Sequence, residues 1–66
     1  MDKDSPLNNS PYLIEWRQVG HAVKVSAIDP QTTLEVSIVG DARVGLDVLK
    51  KQAIRKLNHQ LNKQRN

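Results

Sequence analysis

Apolar and polar side chains alternate in three short runs within the first forty residues. Alternation of this kind is typical of β-strands that bury one face and expose the other. The central run, residues 21–28, places Val23, Val25 and Ala27 on a common face. We therefore predict three strands, at about residues 12–18, 21–28 and 33–39.

The first connection, residues 19–20, is Val-Gly, and glycine tolerates the positive φ that tight hairpin turns require. A two-residue turn here pairs Gln18 with His21. Apolar side chains then lie opposite apolar side chains, and Glu15 faces Lys24 on the polar side of the sheet. We predict an antiparallel hairpin with this register.

The second connection, residues 29–32, begins with Asp-Pro, the preferred opening of a type I turn. A four-residue loop pairs Ile28 with Thr33. It also sets Val25 opposite Val36, so the third strand adds to the same apolar face. The three strands are predicted to form an antiparallel meander with the central run in the middle.

The hydrophobic period changes from two to between three and four after residue 45, which indicates an amphipathic helix over about 46–62. Gly45 is an acceptable N-cap, and Asp47 in the first turn suits the helix dipole. The apolar stripe consists of Leu46, Leu49, Ala53, Ile54, Leu57 and Leu61. We predict an α+β fold in which this C-terminal helix packs on one face of the meander.

The chain has 66 residues, enough for one domain, and it contains no cysteine that could form a disulfide or a thiolate metal site. Residues 1–11 are mostly polar and include two prolines, so we expect a disordered tail. We assign residues 12–63 to a single βββα domain and expect residues 64–66 to fray.

Several central segments resemble a family of very short, uncharacterised alphaproteobacterial proteins with a domain of unknown function. The resemblance covers about residues 12–61 and rests on V-G-x-x-V-K-V-x-A-I-D-P, E-V-S-I-V-G and A-x-R-K-L. It implies no catalytic residue, ligand or partner. Members of that family often have Gly where this chain has Thr33, and Ser or Asp where it has Gly45.

Charge divides the chain unevenly, since residues 44–66 carry six basic side chains against Asp47 alone, within a net charge of +3. On the predicted helix, Lys51, Arg55, His59 and Lys63 recur every four residues opposite the apolar stripe. This basic ridge could bind the phosphates of a nucleic acid. Tyr12 and Trp16 are expected in the core, which leaves no exposed aromatic ring for base stacking.

The polar face of the sheet, and the edge of the third strand, are the alternative surface. The run at 36–39 has no Lys or Pro to discourage pairing with another strand. We therefore favour a homodimer or a protein partner, with nucleic acid as the second hypothesis. The candidate partner face comprises Leu13, Glu15, Arg17, Lys24, Ile28, Glu35, Ser37 and Val39.

Catalysis has little support, because the two histidines, His21 and His59, fall in a turn and on a helix face, away from any second ligand. We expect a non-enzymatic protein without cofactor, metal or small-molecule substrate. The N-terminal residues lack the apolar segment of a signal peptide, and no apolar run reaches membrane-spanning length. We thus expect a cytoplasmic bacterial protein that does not bind membranes.

Overall fold

Three antiparallel strands in the order β1-β2-β3 form one sheet, and a C-terminal helix packs against it. A computed structural model describes residues 11–65. The predicted α+β meander with a C-terminal helix is confirmed. Its elements are β1 (Leu13–Val19), β2 (Ala22–Ile28), β3 (Glu35–Asp41), a short 3₁₀ turn (Ala42–Val44) and α1 (Leu46–Arg65).

The strand registers differ from the predicted ones by two residues in both hairpins. In the first hairpin Val19 pairs with Ala22, because the tight turn is Gly20-His21. Gly20 takes a φ of 60°, as the first central residue of a type II′ turn does. Arg17, rather than Glu15, therefore lies opposite Lys24. A shift of two keeps every side chain on its predicted face.

The second loop is longer than predicted, because the side chain of Asp29 organises it. Its carboxylate is buried and accepts hydrogen bonds from the Gln31 amide at 3.2 Å and the Thr32 hydroxyl at 2.9 Å. Thr33 then takes a φ of 63°. This Asx-type turn occupies two more residues than a four-residue loop, so Ile28 pairs with Glu35 and β3 begins there.

The core lies between α1 and the two strands β2 and β3, over which the helix chiefly packs. The three residues predicted on the apolar face of the central strand are all buried there. A side chain at Gly40 would overlap that of Leu49, so glycine lets the helix approach β3 closely. The buried apolar residues are Val23, Val25, Ala27, Val36, Leu49, Ala53 and Leu57.

A polar turn connects β3 to the helix. Asp41 caps it by accepting from the Arg43 amide at 2.8 Å and pairs with the Arg43 guanidinium at 2.7 Å. These hydrogen bonds hold the pKa of Asp41 below its ordinary value. Gly45 accepts from the Leu49 amide and so acts as the N-cap that the sequence predicts.

The ends of the chain differ from the prediction in one respect. The helix continues to Arg65, three residues beyond the predicted end at 62. Most of the predicted tail, residues 1–10, and Asn66 lie outside the residues that the structure describes.

Candidate interaction surfaces

The candidate partner face is a continuous surface on the side of the sheet away from α1. The strand register brings its residues, with Ser26, into three rows. The rows are Leu13–Ile28–Glu35, Glu15–Ser26–Ser37 and Arg17–Lys24–Val39. Two cations and two carboxylates thus lie within one sheet face.

Two serines occupy the middle of this face. The Ser26 and Ser37 hydroxyl oxygens are 2.8 Å apart, and Ser26 is only 7% exposed. Ser26 lies in a shallow groove of about 590 Å³. The groove is lined by Glu15, Trp16, Arg17, Lys24, Ser26 and Glu35. Because the two serine hydroxyls already bond each other, the charged side chains around the groove are the part able to contact a partner.

Backbone hydrogen bonds at the two ends of the β2–β3 pair establish which residues of β2 bond to β3. The Asp29 amide donates to the Leu34 carbonyl at 2.9 Å, and the Ala42 amide donates to the His21 carbonyl at 2.7 Å. Because backbone groups of successive residues point to opposite sides of a strand, the odd-numbered residues of β2 bond to β3. Its even-numbered residues therefore bond to β1.

This alternation determines the edge that β1 presents. Glu15 lies opposite Ser26, so its amide and carbonyl point inward to β2. The backbone groups of Ile14, Trp16 and Gln18 must then face outward, away from the sheet. The edge of β1 is thus a row of donors and acceptors spaced for another strand.

Apolar side chains accompany this edge of β1. Leu13 is 58% exposed and Val19 is 71% exposed on the outer face, and Trp16 is 50% exposed on the helix side. Our expectation that Trp16 is buried in the core is wrong. The helix lies over β2 and β3, so the part of β1 that carries the indole is left uncovered.

The edge of β3, which the sequence indicated as the open one, is partly closed by the helix. Lys56 donates from its ammonium group to the Ser37 carbonyl at 2.8 Å. A lysine on an edge strand opposes pairing with another chain, and here the helix supplies it. Sequence reasoning missed this contact, because it depends on how the helix crosses the sheet.

The basic ridge lies on the solvent side of α1, where Lys51, Arg55, His59 and Lys63 are all exposed. Tyr12, immediately before β1, donates its hydroxyl proton to the Asn58 side-chain oxygen and so ties this end of the sheet to the helix. The ridge lies on the side of the helix that points away from the sheet, and the partner face lies on the side of the sheet away from the helix. The two surfaces are therefore on opposite sides of the molecule. No single ligand of small size contacts both.

Two kinds of site are not found in the described part of the chain. Residues 11–65 contain no group of three or more His, Asp or Glu side chains that could hold a metal ion. None of the helices there has the length and apolar character needed to cross a bilayer.

Comparison with known proteins gives a family but no relative. Neither the curated proteins nor the solved structures contain a match to this chain. A family model described as a domain of unknown function, DUF6898, matches residues 9–64, which include all three strands and nearly all of the helix. The chain belongs to the DUF6898 family.

Proposed function

We propose that this protein is a non-catalytic interaction module that binds an extended polypeptide along the open edge of β1. The observation that carries the proposal is the outward row of backbone groups at Ile14, Trp16 and Gln18. Strand addition of this kind derives affinity from main-chain hydrogen bonds and specificity from alternate side chains. Both are available at β1.

The side chains beside this edge supply the specificity. Leu13 and Val19 border it on the outer face with Glu15 and Arg17 between them, while Trp16 borders it on the helix side. An added strand would cover all three apolar side chains, and large aromatic residues contribute strongly to binding. Of the candidate partner face, the residues on β1 contact the added strand. The hydrogen bond from Lys56 to the Ser37 carbonyl disfavours strand addition at the edge of β3.

The alternative function is nucleic-acid binding through the basic ridge. Its support is the exposure of Lys51, Arg55, His59 and Lys63 without an acidic neighbour among them. Lys and Arg on a helix are often simply solvated, whereas an open strand edge exposes backbone groups that pairing would satisfy. We therefore place strand addition first.

A pair of proline variants tests the proposal. Gln18→Pro removes an outward amide of β1, and Val39→Pro removes an outward amide of β3, so neither breaks a hydrogen bond between strands. Peptides selected from a random library on the wild-type protein are titrated by fluorescence anisotropy. We expect Gln18→Pro to weaken their binding roughly tenfold or more, and Val39→Pro to leave it unchanged.

Thermal unfolding of both variants verifies that the fold is retained. A library that yields no binder sensitive to Gln18→Pro contradicts the proposal, as does a loss of binding in Val39→Pro alone. Salt-sensitive binding of mixed-sequence RNA that Gln18→Pro leaves intact would instead assign the function to the ridge.

A further inference from the structure

We infer that the strand that occupies the β1 edge is β1 of a second copy of this chain. This inference rests on the proposed function and names its partner. The two strands run antiparallel about a two-fold axis, with Trp16 opposite Trp16 of the second copy. The product is a continuous six-stranded sheet with one helix over each half.

Hydrogen bonding limits the registers that two copies can adopt. Only the even-numbered residues of β1 face outward, so they must lie opposite one another in the joined sheet. The two-fold axis must then pass through one of the residues 14–18. An axis at Ile14 or Gln18 leaves more than half of each seven-residue strand unpaired.

Charge selects among the three remaining registers. An axis at Glu15 sets two carboxylates opposite each other, and an axis at Arg17 does the same with two guanidinium groups. An axis at Trp16 sets each Glu15 opposite Arg17 of the second copy, which gives two favourable cross-strand pairs. The charged side chains of β1 are thus complementary to those of a second β1 strand that runs antiparallel to it.

Apolar burial favours the same register. It places Leu13, 58% exposed, against Val19 of the second copy, 71% exposed, once at each end of the interface. On the helix side it brings the two half-exposed indoles of Trp16 together at the axis. Aromatic cross-strand pairs add stability beyond the area that they bury.

The assembly also closes on itself. Once the β1 edges are joined, the outer edges of the sheet are both β3, where Lys56 donates to the Ser37 carbonyl. Closed two-fold assemblies use the same surface on both copies, and no open β1 edge is left to extend the sheet. The interface is one strand wide, so we expect a reversible dimer with a micromolar dissociation constant.

Charge reversal at the proposed contacts tests the inference in the full chain. In sedimentation velocity, the wild type should shift from 7.4 kDa toward twice that mass as its concentration rises. Arg17→Glu and Glu15→Arg each replace two attractions with two repulsions and should weaken the dimer roughly tenfold or more. The double variant restores opposite charges and should return to within about threefold of the wild type.

Lys24→Glu is the matched control for Arg17→Glu. Lys24 lies opposite Arg17 within one copy, so either change has the same effect on net charge and relieves the same repulsion inside the sheet. Only Arg17 contacts the second copy. Lys24→Glu should therefore leave the dimer within about threefold of the wild type.

The outcomes separate this inference from the proposed function. A wild type that stays at 7.4 kDa up to millimolar concentration overturns the dimer, as does equal weakening by Lys24→Glu or a double variant without rescue. If library peptides still bind in a manner sensitive to Gln18→Pro, strand addition stands and only its partner is wrong.

Discussion

Thr33 adopts a backbone conformation that β-branched residues rarely occupy, with a φ of 63°. The left-handed region brings Cβ close to the following backbone, and such a residue costs on the order of 1–3 kcal/mol. The buried carboxylate of Asp29 and the hydroxyl of Thr32 hold the turn that imposes it. A glycine at this position would adopt this φ without strain.

Thr33→Gly should therefore raise the free energy of unfolding by up to about 1 kcal/mol, because the relieved strain exceeds the added flexibility of the unfolded chain. Thr32→Gly is the matched control. It removes a hydroxyl that donates to Asp29 and accepts from the Leu34 amide, so it should destabilise. Urea unfolding of both variants measures the difference. A destabilised Thr33→Gly would show that strain at this residue is not significant.

Burial of individual residues follows from the sequence only where alternation and helix position agree. Val23, Val25 and Ala27 were predicted correctly because they alternate on the strand that the helix covers. Trp16 alternates in the same way but is half exposed, since the helix lies over β2 and β3. The crossing of the helix depends on long-range packing that no local pattern shows.

At the level of strands, the hydrophobic pattern determined which face each residue occupies but not its exact partner. Shifts of two residues preserve alternation, so both registers keep each side chain on the same face, although the observed one sets Gln18 opposite Val23. The turns decide between them. Gly20 serves as the first turn residue rather than the second, and Asp29 organises a longer loop. Sequence could indicate that these residues form turns, but not the loop lengths.

The two edges of the sheet differ because a lysine of the helix opposes strand pairing at the β3 edge and not at the β1 edge. Lys56→Ala frees the Ser37 carbonyl at the β3 edge, while the exposed lysine contributes little to stability. We expect a change in unfolding free energy below about 1 kcal/mol together with faster aggregation on heating, followed by light scattering. Lys51→Ala removes the same charge from the ridge and should not aggregate faster. Equal aggregation of the two variants would show that Lys56 does not prevent strand pairing at the β3 edge.

As a whole, the described part of the molecule, residues 11–65, is a single layer of sheet covered on one side only. A chain of 66 residues buries a modest fraction of its surface, and this one has neither a disulfide nor a described metal cluster to reinforce it. Its largest uncovered apolar side chains include Leu13, Trp16 and Val19, which all lie on one edge strand. Association through that strand would add the burial that the isolated copy lacks.

Hydrogen exchange of individual amides, followed by NMR at several protein concentrations, tests the central claim most directly. The amides of Ile14, Trp16 and Gln18 face the open edge of β1, and those of Glu35, Ser37 and Val39 face the edge of β3. At a concentration about ten times the dissociation constant, exchange of the β1 set should slow severalfold while the β3 set stays unchanged. Exchange of the β1 set that is independent of concentration, or protection that appears on the β3 set instead, would contradict the account.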